Sequence, residues 1–406
     1  MLIYQLLIGL VSFFAPIAGL FNAKFKQQLS GQKKSFTLVN LDAQRPVVWM
    51  HVASLGEYEQ GLPVLEKLKS ERPDYQIALS FFSPSGYESV KGKAQVDALF
   101  YLPFDTKANA KKLVDLLKPT LVLFVKYEIW PNYLKELEWQ RIPTVLMVAR
   151  FYPDQWLLRY AFGKEQLHRF TKILCLNDTS AILAKSVVSP AKVFNTGDTR
   201  FDRVTAIAKS DIQLEWAEEF IAGRKCVILG SSWEEEHLLL ATVLREFHDP
   251  TICFIVVPHK VDPKSIGTYR SQFAEPVALY SEHAFQSAHR ILLVDRIGML
   301  SSLYRHADLA LVGGGFKTGL HNVLEPAIYS IPVLIGPNYH KFPEASALVE
   351  KGGVIVITNS DDLELYLQTL ARQPRVLEEL GIQNRLGIEE SSGATDRIYD
   401  QIKTFL

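Results

Sequence analysis

The sequence predicts an α/β protein built on two doubly wound parallel sheets, and three observations carry that prediction. From Pro46 onward, short apolar runs alternate with amphipathic stretches of helical length, the pattern of βαβ units. The alternation occurs as two series, separated by a polar, helix-prone stretch around Lys209 to Arg224. A chain of 406 residues is long enough for about two domains with a core in each.

Taken in order, the first element is the uncharged run Leu2 to Phe21, dominated by Leu, Ile, Val, Phe and Ala. Its length could span a bilayer. Gln5, Ser12 and Pro16 interrupt its apolar character, so a buried or interfacial helix is the alternative. No basic residue precedes the run and no small-x-small site closes it, which disfavours a cleaved signal peptide. Lys24, Lys26, Lys33 and Lys34 follow before the first acidic residue, Asp42. That bias keeps the rest of the chain cytoplasmic and lets the lysines touch anionic lipid. The expected organisation is a membrane anchor at 1–22, a first Rossmann-like domain at 35–205, a second at 206–385, and a C-terminal helix at 386–406 that can pack back on the first domain.

The strands of the first series are Val47–Met50, Gln76–Leu79, Thr120–Val125, Thr144–Val148 and Lys172–Leu176. Those of the second are Cys226–Leu229, Ile252–Val257, Ile291–Val294, Leu309–Val312 and Pro332–Ile335. Ligands of such sheets bind at the carboxyl ends of the strands, so a cleft between two facing domains is where chemistry is expected.

Several strand-to-helix junctions carry candidate residues. Ser54 and Glu57 have capping-box spacing, while Glu57, on the first helical turn, could equally take a proton from a substrate hydroxyl. Ser85 reads as a helix cap. Lys126, Glu128 and Trp130 place a cation, a carboxylate and an indole together before Pro131, which suits a first helical position. Arg200 could reach the cleft or pair with Asp198 or Asp202. Glu234, Glu235 and Glu236 read as a solvated first turn favoured by the helix dipole. Pro258, His259 and Lys260 end a strand with two potential phosphate contacts. The run Asp295 to Met299, with Gly298, supplies closely approaching backbone. After Leu309–Val312 and the glycines Gly313 to Gly315, Asn322, Val323, Leu324, Glu325 and Pro326 read as a capped helix start. Its free N–H groups and dipole suit a phosphate, although a well-capped helix without ligand explains the same residues. The aromatic and basic stretch from Phe151 through Trp156 to Tyr160 could meet lipid or pack in a core.

Forty-four basic and 44 acidic side chains cancel, so no general field draws the molecule to nucleic acid. Cys175, Cys226 and Cys253 lie in apolar runs without metal-ligand spacing and read as buried thiols of a reducing compartment.

Taken together and in this order, the segments beginning at His51, Ser83, Tyr101, Glu128, Gly197, Gly230 and Gly313, through Gly336-Pro337, resemble the 3-deoxy-D-manno-octulosonic acid (Kdo) transferases of lipopolysaccharide synthesis. The resemblance implies a GT-B glycosyltransferase on the cytoplasmic face of the inner membrane. It implies transfer of Kdo from CMP-Kdo to a lipid A precursor with inversion at the anomeric carbon. It matches Glu57 to the general base, and Arg200 to a basic residue that stabilises the transition state. Pro258, His259, the backbone of Ile297, Gly298 and Met299, and Asn322 to Glu325 match CMP-binding positions. No cofactor or metal is expected, because no Asp-x-Asp cluster stands at a strand end. Three positions depart from the family: Lys126 replaces an acidic residue, His259 an arginine, and Leu320 a glycine before His321. Lys126 reverses a charge, so Glu128 is the alternative partner there; Lys260 can restore a charge but not a bidentate fork. A UDP-sugar transferase or epimerase, and a catalytically silent binding module, stay open as alternatives.

Overall fold

The structure is a computed structural model that describes residues 2–209, 214–283, 289–317 and 319–406. It divides into two compact units, Met1–Arg203 with Ser392–Leu406, and Val204–Ser391. Each is organised around one seven-stranded parallel sheet.

In the first unit the strands are β1 Val47–Val52, β2 Gln76–Phe81, β3 Ala98–Tyr101, β4 Leu121–Val125, β5 Thr144–Ala149, β6 Lys172–Cys175 and β7 Val193–Asn195. Their order is β3-β2-β1-β4-β5-β6-β7. The chain winds one way from β1 and the other way from β4, so the topological switch lies between these two neighbours. Every residue of β1 is buried, and its side chains alternate between two cores. Val47 and Trp49 pack with Phe124 and Tyr133 on one face, Val48 and Met50 with Leu79 and Leu123 on the other. Burial on both faces is why the strand reads as an unbroken apolar run.

The second unit contains β8 Lys225–Ser232, β9 Ile252–Pro258, β10 Val277–Leu279, β11 Ile291–Leu293, β12 Leu309–Val312, β13 Val333–Ile335 and β14 Val354–Val356. The order β10-β11-β9-β8-β12-β13-β14 puts its switch between β8 and β12.

All ten strands predicted from sequence are present, while β3, β7, β10 and β14 were not foreseen. Three of these have only three residues and the fourth has four, although β11 and β13 are equally short and were foreseen. All four lie at the sheet edges, and in β7 and β14 only one residue of three is buried, which weakens the apolar signal.

The N-terminal run forms helix Leu2–Phe21, followed by a second helix, Ala23–Leu38. The first is long and apolar enough to cross a membrane. At the other end, helix Pro374–Ser391 runs past the expected break at 385, and the returning segment is helix Ala394–Ile402. Ile398 and Ile402 enter the core of the first unit. Asp202 accepts hydrogen bonds from the Gly393 and Thr395 amides, closing the open turn at that helix's start.

Candidate functional sites at the two sheet switches

In the first unit, Glu57 follows β1 on helix Leu55–Glu71, whose N-cap is Ser54. Both readings of the capping box have a structural counterpart. Glu57 Oε2 accepts from the amides of Ala53 at 2.6 Å and Ser54 at 3.2 Å. Oε1 carries no hydrogen bond to a described residue. Burial, followed by the charge of Glu128, pushes the carboxyl above its usual range; the Ala53 amide, His51 and Lys126 pull the other way.

Glu128 follows β4, across the switch. Its Oε2 accepts from Trp130 Nε1 at 2.8 Å and from His51 Nε2 at 3.0 Å. His51 is fully buried on β1. Ser80 Oγ accepts from Trp49 Nε1 and meets His51 Nδ1 at 2.9 Å. Ser80 can therefore give its proton to Nδ1, leaving Nε2–H to donate to Glu128. A chain of buried donors thus holds Glu128 in place.

Lys126 closes β4 with a left-handed backbone, φ 68°, which a non-glycine residue adopts only where its surroundings impose it. Its ammonium makes no salt bridge to a described residue and stands 5.3 Å from the Tyr127 ring centre. Burial, then the charge of Arg200, lowers its pKa. Arg200 pairs with Asp198, Nη2 to Oδ2 at 2.6 Å and Nε to Oδ2 at 3.0 Å. Burial opposes ionisation of Asp198, yet the Arg200 charge and hydrogen bonds outweigh it and hold the carboxyl below the usual range. Ser85 is not the cap of its helix. That place belongs to Ser83, before Pro84, and the two hydroxyls meet at 2.9 Å.

In the second unit, the loops after β8, β9, β11 and β12 gather at one edge of the sheet because the strands are parallel. Backbones there come too close for side chains. A Cβ on Gly313 would run into Ser231 O and lie 2.7 Å from Ser232 Cα, and one on Gly315 would lie 2.6 Å from Gly336 N. Glu236 is not the solvated residue expected from sequence: it is 1% exposed. It accepts from the Gly314 amide at 2.9 Å and the Trp233 amide at 2.8 Å, so it fastens the glycine turn to the helix after β8. Only Glu234 and Glu235 are left to face solvent.

His259 stacks on Trp233, ring centres 4.4 Å apart and 21° between planes. Trp233 Nε1 donates to His321 Nε2 at 3.1 Å. Burial, with His259 beside it, pushes His321 down to about 4; burial and Lys260 lower His259 as well. At neutral pH His259 therefore offers a neutral ring, and Lys260, 5.3 Å from the centre of a Trp233 ring, supplies the positive charge. This narrows the expected pair of phosphate contacts to one cation and one polar ring.

The helix expected at Asn322 is a single turn, Leu324–Ala327, with Val323 at the cap position. The left-handed Ser330 follows closely, and with a single turn the dipole is small. Asn322 Oδ1 still accepts from the Leu324 amide at 3.1 Å, while its Nδ2 donates to Glu325 Oε1 at 3.0 Å. Ser301 Oγ donates to Glu325 Oε2 at 2.7 Å. That bond joins the turn to the loop carrying Ile297, Gly298 and Met299, where Gly298 has φ 92° and Ile297 is largely exposed. Pro258 ends β9, and the next amide, His259 N, donates to Ser232 O at 2.9 Å. Trp233 and Ser301 were not read as site residues; a lone serine in a short helix leaves no sequence signal. Among the described residues no cluster of His, Cys, Asp or Glu could hold a metal.

Residues 24–203 match the family described as 3-deoxy-D-manno-octulosonic-acid transferase (kdotransferase). The chain is 27% identical over 380 residues to the 3-deoxy-D-manno-octulosonic acid transferase of Aquifex aeolicus, covering 92% of this chain and 98% of that protein. With the Haemophilus influenzae enzyme of the same name it is 27% identical over 393 residues, 88% and 87% of the two chains. The solved UDP-GlcNAc 2-epimerase from Neisseria meningitidis, bound to UDP-GlcNAc, aligns with a TM-score of 0.66 over 88% of this chain and 100% of its own. At 16% identity that likeness is one of fold alone.

The fold is of the GT-B type, two parallel sheets with an apolar N-terminal helix. Over most of its length the chain is similar to the Kdo transferases.

Proposed function

We propose that this protein transfers Kdo from CMP-Kdo to a hydroxyl of a lipid A precursor, with inversion at the anomeric carbon, at the cytoplasmic face of the inner membrane. The observation that carries the proposal is Glu57: a buried carboxylate at a sheet switch, fixed through one oxygen with the other open. In this reading Oε1 takes the proton of the acceptor hydroxyl. The acceptor oxygen then bonds to the anomeric carbon on one face as the bond to the CMP phosphate oxygen breaks on the other. Arg200, already paired with Asp198, and Lys126 lend positive charge near the base. In the second unit Lys260, the ring of His259, the amides around Asn322 to Leu324 and the Ile297–Met299 backbone bind the CMP phosphate and cytosine. Glu325 accepts from ribose hydroxyls. Charge grows on the leaving phosphate, so donors fixed beforehand favour the transition state over the bound substrate.

Purified protein incubated with CMP-Kdo and a lipid A precursor should give a glycolipid carrying added Kdo. No product from folded, CMP-binding protein would defeat the proposal. Glu57→Gln should lower transfer by about 100-fold or more while CMP affinity stays within error; retained turnover removes Glu57 from the base role. The UDP-sugar reading is favoured only by the fold of the epimerase. Displacement of a bound CMP probe by UDP as readily as by CMP would support it instead.

A further inference from the structure

Helix Leu2–Phe21 has twenty residues, so at about 1.5 Å per residue it is about 30 Å long, the thickness of a bilayer's hydrocarbon core. A helix of that length crossing a bilayer has its two ends on opposite sides. Here the first turn is bonded to the globular unit, the middle shares a groove with it, and the end packs on the next helix, which is itself fastened to that unit. At the start, Tyr4 OH donates to Asp105 Oδ2 at 2.6 Å, and Gln5 bonds to Asn132. Asp105 is fully buried and also accepts from the Asn132 and Tyr133 amides, so this anchor point belongs to the rigid core. Tyr4 and Phe162 ring centres lie 5.8 Å apart. In the middle, Ser12 and Pro16 share a groove with Pro103, Phe104 and Asn109. At the end, Gly19 sits against Leu29 and Lys26 of the next helix. That helix is itself fastened to the sheet, Gln32 donating to Leu102 O and Ser35 to Tyr101 O.

The outward side of the same helix is apolar and uncovered. Ile3, Leu6, Leu7, Leu10, Phe13 and Leu20 are all more than half exposed, a patch that water does not favour. Its surroundings have the chemistry of a headgroup layer. Lys26 and Lys33 line the groove beside Pro16 and Leu20, Lys24 and Lys34 are exposed, and Phe162 stacks on the half-exposed Trp156 near the exposed Tyr160.

We propose that helix Leu2–Phe21 lies in the plane of an anionic bilayer surface instead of crossing it, tethered at its first turn by the Tyr4–Asp105 and Gln5–Asn132 bonds. The tether holds the first unit flush against the headgroups, and the basic and aromatic residues around it meet anionic phosphate and the interface. None of these contacts depends on the reaction proposed above.

Its test uses the full chain with an epitope fused before Met1, in membrane vesicles whose globular units are open to added protease. The epitope should be digested along with the units, without permeabilising the vesicles. An epitope protected until detergent is added would overturn the proposal, because the helix would then cross. Purified protein should also sediment with phosphatidylglycerol vesicles and much less with phosphatidylcholine ones. Equal sedimentation with both, or a helix-dependent dimer that ignores vesicles, would overturn the anionic surface as occupant. The double variant Tyr4→Phe, Gln5→Leu keeps the helix apolar and removes both tethers; a protected epitope should appear in part of that population. Digestion unchanged from the parent chain would overturn the tether.

Discussion

Glu57 gives one oxygen to the backbone and keeps the other, and its neighbours set opposite pressures on its proton. Glu128 is negative and raises its pKa; Lys126 is positive and lowers it. A base must be ionised to act, so transfer should rise with pH through the raised pKa of Glu57. Removing the negative neighbour with Glu128→Gln makes ionisation easier, and the acid limb of the pH–rate profile should move to lower pH. Lys126→Met removes the opposing cation and should move it higher. Shifts of the same sign in both variants would mean that neither charge acts on Glu57. At this scale the sequence was partly legible. The Ser54–Glu57 spacing points to a cap, which is present, but only coordinates reveal that a single oxygen serves it. Glu236 was misread because three adjacent acids look solvated; the third is drawn inside by the Gly314 amide, a partner distant in the chain.

Elements are fixed here by polar contacts at their ends as much as by their apolar faces. Asp202 bonds the Gly393 and Thr395 amides and the Thr395 hydroxyl. Asp202→Ala should therefore cost about 1–3 kcal/mol of stability, measured by denaturant unfolding, and a loss below that range would mean water serves those amides equally well. Gly313→Ala would drive a methyl into Ser231 O. The turn must shift, and CMP binding should weaken with the melting temperature lowered; unchanged CMP affinity would separate the turn from the nucleotide site. Central strands were readable because burial on both faces leaves only apolar residues. Edge strands such as β10 and β14 were not, and the helix at Asn322 was overread because its cap and Pro326 look alike whether one turn follows or four.

At the scale of the whole molecule, the two series of apolar runs correspond to two sheets, each with its chemically loaded residues beside a switch in strand order. That correspondence was legible because parallel strands send every functional loop to one edge. The unit boundary was less so. Helix Thr199–Ala208 crosses the division expected at 205, which local pattern does not mark; residues 392–406 lie with the first unit, and a C-terminal helix able to pack back there was expected from the sequence, with its start placed at 386. Because the proposed base and nucleotide contacts belong to different units, substitutions should separate cleanly: Glu57→Gln lowers turnover alone, whereas Lys260→Ala raises the CMP dissociation constant without moving the acid limb. Mixed effects from either would contradict the division of labour. The most direct measurement is mass spectrometry of the lipid recovered after incubating the purified chain with CMP-Kdo and a lipid A precursor. A precursor heavier by whole Kdo residues, dependent on Glu57, is the expected product; an unchanged precursor in the presence of folded protein that binds CMP would rule out Kdo transfer.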